Sequence, residues 1–315
     1  MNMDRNVWGF GGDIGLIRTE AWIVDNQEQS ALLKKILLDG DDEALRQLSV
    51  ELKQDYYGLP SNRSVRIRLF DLSPRELMTS EEQKEFSRKF GNLDVRGGAA
   101  LQAWPQLYRE QIRTLCLLMM DRQYMKNPPL EIMMPEIKTE ADVIAIKKMI
   151  KEEADNAGLE QGRHYRFGVM AETLRCCQNI EKIVPHCDFI SFGTNDLSQE
   201  FFGIDRGNLL ARSQFSSKNG YDPFKTLGSS VFDLMKDVIA KARRIKSDIE
   251  IDVCGAHAED LSTAVALFDS GIDNISVAPT DRNLCILPIR IGYHRLDRDH
   301  PQEDLRLKAT EGLQL

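Results

Sequence analysis

Seven short apolar runs, separated by segments with helical spacing, constrain the fold of this chain more than any other feature. The runs are rich in Val, Ile, Leu, Met and Phe, and they occupy residues 14–17, 65–70, 130–134, 167–171, 189–192, 249–253 and 274–277. Apolar runs that alternate with helices are typical of βα units, in which the strands pair in parallel. The sequence therefore predicts an α/β protein built on a parallel sheet.

The segments between the runs predict amphipathic helices. Thr139 and Asp142 form a capping-box sequence, and Gly158 is a plausible stop for the helix that follows it. Further helices are expected at 26–38, 81–90, 101–124 and 230–245. We expect a long loop at 206–221. No linker divides the chain, so residues 1–315 are expected to form a single domain with a polar C-terminal tail from about 294.

The overall charge favours a small-molecule partner. Lys and Arg number 41 against 49 Asp and Glu, a formal charge of -8, which argues against general nucleic-acid binding but leaves room for local basic sites. No apolar run reaches the roughly 18 residues that a membrane span needs, and the N-terminus lacks a secretory pattern. Six dispersed cysteines predict reduced thiols. We expect a cytoplasmic protein that binds neither nucleic acid nor membrane.

Arg18 and Arg68 stand at the ends of the first two apolar runs. An unpaired guanidinium at a buried strand end is costly, so each arginine needs a carboxylate or a bound anion. Glu20 could pair with Arg18, and Asp71 could pair with Arg68. The residues alone leave both explanations open, a structural ion pair or a ligand-binding arginine.

Two carboxylates follow the fourth and fifth runs. Glu172 ends the fourth, and Asp196 lies just after the fifth, in the stretch DFISFGTNDLSQ. Neighbouring strands lie about 4.8 Å apart, so both carboxylates could share one hard divalent ion. Taken alone, Glu172 could equally cap the following helix.

Cys254 ends the sixth run and is followed by Gly255, Ala256 and His257. A cysteine at the end of a buried strand is most often a small core residue. None of the five histidines lies in a glycine- and threonine-rich segment, and we expect them at the surface or in loops.

The segments SFGTNDLSQ, GLIRT, VRIR, AETLR and CGAH together resemble the phosphoenolpyruvate-utilising enzymes, the family that includes pyruvate phosphate dikinase, phosphoenolpyruvate synthase and enzyme I of the sugar phosphotransferase system. The resemblance implies a TIM (β/α)8-type barrel. The family's first strand precedes the segment that matches GGDIGLIRTE, so the chain apparently lacks it. Either the barrel closes in another way or the chain is a piece of a longer enzyme.

The resemblance also implies roles for individual residues. It implies that Arg18 and Arg68 bind the phosphate, with Arg96 as a third arginine, and that Gly193, Thr194 and Asn195 bind the substrate. It implies that Glu172 and Asp196 bind both Mg2+ and the substrate. Cys254 would be the acid that protonates C3 of the enolate. Ala256 departs from the family pattern, which has Glu there.

By this resemblance the chain is a phosphoenolpyruvate- or pyruvate-binding domain of a dikinase-type phosphotransferase, incomplete on its own. Its expected partner is a phosphohistidine on another chain or a missing segment, and a homodimer is an open alternative. The departure at Ala256 keeps two other functions open. One is a non-catalytic regulatory module that binds phosphoenolpyruvate or a 2-oxo acid, and the other is a 2-oxo-acid lyase or aldolase.

Overall fold

A computed structural model describes residues 13–71, 74–91, 95–124 and 127–278, which contain one parallel sheet. Its seven strands follow one another in sequence order: β1 Ile14–Arg18, β2 Val65–Arg68, β3 Leu130–Met134, β4 Tyr165–Ala171, β5 Phe189–Gly193, β6 Glu250–Cys254 and β7 Asn274–Ser276. Every neighbouring pair is parallel. The prediction of seven parallel strands is confirmed, with bounds that agree to within two residues.

The sheet curls into a nearly closed barrel, and its two edge strands, β1 and β7, approach each other. Gly15 lies against Ser276 so closely that a Cβ at residue 15 would stand 1.9 Å from the Ser276 hydroxyl oxygen. Glycine in a strand commonly marks such a close approach of another chain segment. Within the described residues, seven strands therefore suffice to bring the two edges together.

Helices follow the strands and cover the outside of the barrel. They are α1 Thr19–Asp25, α2 Gln27–Asp39, α3 Asp42–Tyr57, α4 Pro74–Leu77, α5 Ser80–Phe90, α6 Gly97–Ala103, α7 Pro105–Tyr124, α8 Glu140–Asn156, α9 Leu174–Gln178, α10 Ile180–Ile183, α11 Thr194–Phe202, α12 Leu209–Asn219, α13 Ser229–Ile245 and α14 Leu261–Asp269. The predicted capping box of Thr139 and Asp142 opens α8. In the described ranges, none of these helices combines the length and apolar character that crossing a membrane requires.

Two predictions, one of a loop and one of a helix, need correction. The expected loop at 206–221 is wrong, because α12 occupies most of it, capped by Asn208 and ended by Gly220 in the left-handed conformation. The expected helix at 101–124 is two helices, since Pro105 opens α7 and disfavours helical backbone at Trp104. The predicted tail from about 294 lies outside the described residues.

Alternate strand residues face opposite sides of the barrel wall. Those facing outward join the main apolar core beneath the helices, for example Ile67, Phe167 and Ile251. Those facing inward include a small apolar cluster formed by Met133, Met170, Phe189 and Cys254, with Leu16 packed against it.

A layer of paired charges fills the barrel toward the N-terminal ends of the strands. Arg66 donates to Glu131 (2.8 Å) and Glu250 (2.9 Å) and also pairs with Asp252. Arg166 pairs with Glu131 (2.5 Å) and Glu250 (2.7 Å). This network joins four strands inside the barrel, and it leaves the opposite end, where the strands terminate, for other chemistry.

Candidate functional site

The residues predicted to bind substrate or metal lie together where the strands end, which we call the C-terminal mouth of the barrel. Arg18 ends β1, Arg68 ends β2, Arg96 precedes α6, Glu172 follows β4, Gly193 ends β5, Thr194, Asn195 and Asp196 open α11, and Cys254 ends β6. Active sites of α/β barrels are found at this end, because the loops that follow parallel strands converge there. The sequence-based grouping thus matches one place in the fold.

Arg68 is buried at the base of the mouth, with only 4% of its surface exposed. One Nη pairs with Glu20 and lies 3.1 Å from Asp71, while the other lies 3.5 Å from Met170 Sδ and 3.9 Å from Glu172. Its Nε has no hydrogen-bond acceptor among the described residues. Arg68 therefore makes the expected ion pair and still presents a buried donor that a ligand could satisfy.

Arg96 is held by three carboxylates. Its Nε and Nη2 donate to Asp71 at 2.7 and 2.6 Å, its Nη1 lies 2.8 Å from Glu136, and its Nη2 is 3.5 Å from Asp196. Burial opposes ionisation of Asp71, but the charges of Arg68 and Arg96 outweigh it and lower the pKa of that carboxyl. Arg96 is thus a bridge between the acids of the mouth in this state.

Arg18 is the more accessible arginine, with 51% of its side chain exposed. Its Nε donates to Glu20 at 3.0 Å, which is the ion pair that the sequence suggested. Within the described chain this contact involves only one edge of the guanidinium. A planar guanidinium with an open edge can donate hydrogen bonds to an incoming carboxylate or phosphate.

The Glu172 carboxylate is buried, with 1% exposure, and fixed from two sides. Its Oε1 accepts a hydrogen bond from the Glu136 amide at 2.7 Å. A Cβ on Gly193 would lie 2.8 Å from both Glu172 Cβ and Oε2, so the side chain rests on the bare backbone of β5. Burial raises the pKa of Glu172 well above its usual value, although Arg68 opposes the shift. A cation nearby would favour the ionised form.

Helix capping does not explain Glu172. The cap of α9 is Thr173, whose hydroxyl accepts from the Cys176 amide at 3.0 Å. Asp196 lies in the first turn of α11, after the strand that pairs with β4. Two carboxylates that leave other coordination positions free fit the oxygen-ligand preference of Mg2+. The residues that the structure describes include no group of three or more His, Cys, Asp or Glu placed to hold a metal ion.

The turn that opens α11 is tied to His257, which is buried rather than at the surface as expected. His257 Nε2 lies 3.0 Å from the Pro223 carbonyl, which can only accept, so Nδ1 accepts from the Thr194 hydroxyl at 2.8 Å. Burial lowers the pKa of His257, in keeping with a neutral ring. A Cβ on Gly255 would stand 2.3 Å from Thr194 Oγ1. Beside them, buried Asn195 Oδ1 has no donor among the described residues.

The Cys254 thiol lies inside the barrel below the mouth. Ser191 Oγ donates to its sulfur at 3.4 Å, and the sulfur donates to the Phe192 carbonyl at 3.5 Å. Burial raises the pKa of Cys254 to about 11, while the Ser191 hydroxyl acts in the opposite direction. The thiol is therefore protonated at neutral pH, as either a core residue or a proton donor would be.

Glu136 is a mouth residue that the sequence reasoning missed. It follows β3 in the run MMPE, and its strand-end position was the signal that could have found it. The mouth brings together three arginines, Arg18, Arg68 and Arg96, and five carboxylates, Glu20, Asp71, Glu136, Glu172 and Asp196. With Lys138, whose Nζ lies 3.7 Å from Glu136, the formal charge of the group is one negative, so an accompanying cation would favour an anionic substrate.

Comparison with known proteins assigns the barrel to a family. A family profile described as "PEP-utilising enzyme, PEP-binding domain" matches residues 6–290. The chain is 28% identical to the pyruvate, phosphate dikinase of Rhizobium meliloti (strain 1021), covering 87% of this chain and 34% of the relative. It is 26% identical to the enzyme of the same name from Clostridium symbiosum, covering 84% and 34%. The chain thus spans about a third of the length of the curated relatives it matches.

Solved structures support the fold alone. A Haloferax volcanii malate synthase in complex with lead(II) superimposes with a TM-score of 0.51 and 11% identity, covering 98% of this chain and 74% of that one. The same protein with pyruvate and acetyl-CoA gives a TM-score of 0.50 at 12% identity, covering 99% and 70%. The predicted TIM-type α/β barrel is confirmed.

Proposed function

The chain belongs to the PEP-utilising enzyme family, as its PEP-binding domain, and on this premise we propose that its mouth binds phosphoenolpyruvate or pyruvate and supports their interconversion with Mg2+. The observation that carries the proposal is the buried guanidinium of Arg68. Its Nη atoms lie 3.1 Å from Asp71 and 3.9 Å from Glu172, while its Nε has no acceptor among the described residues. A buried charge with a spare donor suits an anionic ligand.

Arg18 and Arg68 would hold the phosphoryl group. They end adjacent strands, in register with each other. One is exposed and the other buried, so an anion could enter beside Arg18 and reach the spare donor of Arg68. The turn from Gly193 to Thr194 would present backbone groups to the substrate carboxylate, while Asn195 Oδ1, a spare acceptor, would meet a hydrogen-bond donor rather than the anion itself.

Glu172 and Asp196 would hold the metal. A bound Mg2+ would neutralise negative charge that develops on the enolate and phosphoryl oxygens, and it would balance the excess of carboxylates in the mouth. The Glu136 amide orients Glu172 by holding its Oε1, which leaves Oε2 for coordination.

Cys254 would exchange the proton on C3. In one direction the neutral thiol gives its proton to C3 of enolpyruvate, which produces the methyl group of pyruvate and a thiolate. In the reverse direction the thiolate removes a methyl proton. The high pKa of Cys254 keeps the thiol protonated before the first step, and the Ser191 hydroxyl can stabilise the thiolate.

The phosphoryl group would be exchanged with a phosphohistidine carried by another domain or chain. A homodimer remains a prediction. The second candidate function, a regulatory module that binds the ligand without turnover, is favoured by one observation, the saturation of Arg96 by three carboxylates.

Exchange of pyruvate methyl protons in deuterium oxide, followed by proton NMR with Mg2+, tests the proposal. We expect exchange by the wild-type chain, loss of exchange in Cys254→Ala, and retained binding of oxalate, an enolpyruvate mimic, in that variant. Cys187→Ala is the matched control, because Cys187 is buried outside the mouth and contacts the Ile183 carbonyl. Exchange that persists without Cys254 would refute its role. Binding without exchange would favour the regulatory module, and no binding would refute both.

A further inference from the structure

Glu136 has an unusual backbone for its residue type. Its φ of 51° lies in the left-handed region, and among the described residues no other non-glycine residue has a positive φ. Such backbone is disfavoured for residues with a β-carbon, so the surroundings must hold it. Gly97 does so from one side, since a Cβ there would stand 2.1 Å from the Glu136 carbonyl oxygen. The conformation fixes where both the amide and the side chain of Glu136 point.

The amide and the carboxylate of Glu136 serve different neighbours. The amide donates to Glu172 Oε1 at 2.7 Å. The carboxylate lies 2.8 Å from Arg96 Nη1 and 3.7 Å from Lys138 Nζ, and the residue is only 7% exposed. Glu136 thus joins the predicted metal ligand to the third predicted phosphate arginine.

The carboxylate of Glu136 decides what Arg96 can bind. Asp71 takes the Nε and Nη2 edge of Arg96, and Glu136 takes Nη1. Each nitrogen of the guanidinium therefore already faces a carboxylate. A phosphoryl group that approached Arg96 would have to displace one of these acids or share the guanidinium with them, and in either case its negative charge would be repelled by the acids that stayed.

We propose that Glu136 is a specificity-determining residue that keeps Arg96 from the phosphoryl group and so lowers the preference of the mouth for phosphorylated over unphosphorylated ligands. This inference rests on the proposed binding of phosphoenolpyruvate or pyruvate. The carboxylate sets the charge preference, and the amide holds Glu172 whichever ligand is bound.

The test compares two ligands in the wild-type chain and in Glu136→Gln. Dissociation constants are measured by calorimetry, with saturating Mg2+, for phosphoenolpyruvate and for oxalate, which lacks a phosphoryl group. Because both ligands use the same metal, a change in metal affinity cancels in their ratio. Removal of one charge close to a phosphoryl dianion should shift the ratio toward phosphoenolpyruvate by about tenfold. Glu160→Gln, at an exposed acid, is the control and should leave the ratio unchanged.

A second variant separates charge from backbone. Glu136→Gly removes the carboxylate but suits the positive φ, and we expect the same shift in ratio from it. An unchanged ratio in both variants, with both ligands still bound, would overturn the role of Glu136 and leave the proposed function intact. If the wild-type chain bound neither ligand, the proposed function itself would fail.

Discussion

Replacing Arg66 by Met should destabilise the barrel strongly while leaving the mouth residues in place. Arg66 is buried, pairs with Glu131, Glu250 and Asp252, and stacks on the Phe189 ring with 4.0 Å between its guanidinium carbon and the ring centroid. Removing one partner of a buried ion pair costs about 3–5 kcal/mol, because a charge remains without compensation. Met fills much of the lost volume, so the loss should reflect charge more than packing.

The structure identifies which carboxylate would bear this cost. Arg166 still pairs with Glu131 and Glu250 after the substitution, whereas Asp252 has no second arginine among its described contacts and keeps the Asn274 amide at 2.9 Å as a donor. Burial already raises the pKa of Asp252 to about 6, and Arg66 opposes that shift. Without Arg66 the pKa should rise further.

The sign of the pH effect follows from this shift. The folded pKa of Asp252 exceeds its unfolded value, so the folded state binds the proton more tightly and the variant should regain stability as the pH falls. Each unit by which the pKa rises returns about 1.4 kcal/mol at low pH. Urea unfolding monitored by circular dichroism at pH 8.0 and 5.5 should therefore show a smaller loss at pH 5.5.

Two further variants test whether the loss of stability comes from the buried charge of Asp252. Adding Asp252→Asn to the Met variant should restore part of the stability at pH 8.0 and remove the share of the pH dependence that Asp252 contributes. Arg46→Met, at an exposed arginine paired with Glu43, should leave the unfolding midpoint unchanged. A loss below about 1 kcal/mol from the Arg66 substitution, or an equal loss at both pH values, would contradict the reasoning from buried charge.

Two other predictions concern the mouth. Gly193→Ala should weaken Mg2+-dependent oxalate binding by about 10- to 100-fold, because the new Cβ displaces Glu172; calorimetry giving wild-type affinity would contradict it. The lowered pKa of His257 means that the unfolded chain takes up a proton that the folded ring resists, so stability should fall as the pH drops below about 6.5, by at most about 1.4 kcal/mol per unit. His257→Asn should lose this contribution in urea unfolding, whereas His186→Asn, at a more exposed ring, should retain it.

The strands and the strand-end positions were predictable because buried strands require apolar residues, and such residues are visible in the sequence. Five of the strands are buried along most of their length, and their outward-facing residues are apolar, although inward-facing charged residues such as Arg66, Glu131 and Asp252 interrupt some of the runs. In a parallel barrel the carboxyl ends of all strands lie at one end, and this places Arg68, Glu172 and Asp196 together without further information. The parallel topology was thus sufficient to predict that these strand-end residues lie close together.

The errors arose where the sequence signal depends on packing. Helix α12 has no buried residue, so it lacks the apolar periodicity that identifies a helix, and only Asn208 and Gly220 marked its ends. His257 was expected at the surface or in a loop, and its burial was missed because its partners, Thr194 and the Pro223 carbonyl, lie far from it in sequence. Glu136 depends on a left-handed backbone that no local pattern encodes.

The two charged layers of the barrel differ in how completely their arginines are paired, although Arg66 and Arg68 lie only two residues apart on β2. Each polar nitrogen of Arg66 has a carboxylate partner, so its layer is complete without a ligand. Arg68 retains an Nε donor that has no partner in the described chain. Burying such groups unpaired is unfavourable unless something else meets them. The incomplete pairing of the upper layer, rather than the presence of arginine, is therefore what distinguishes the place where an anion should bind.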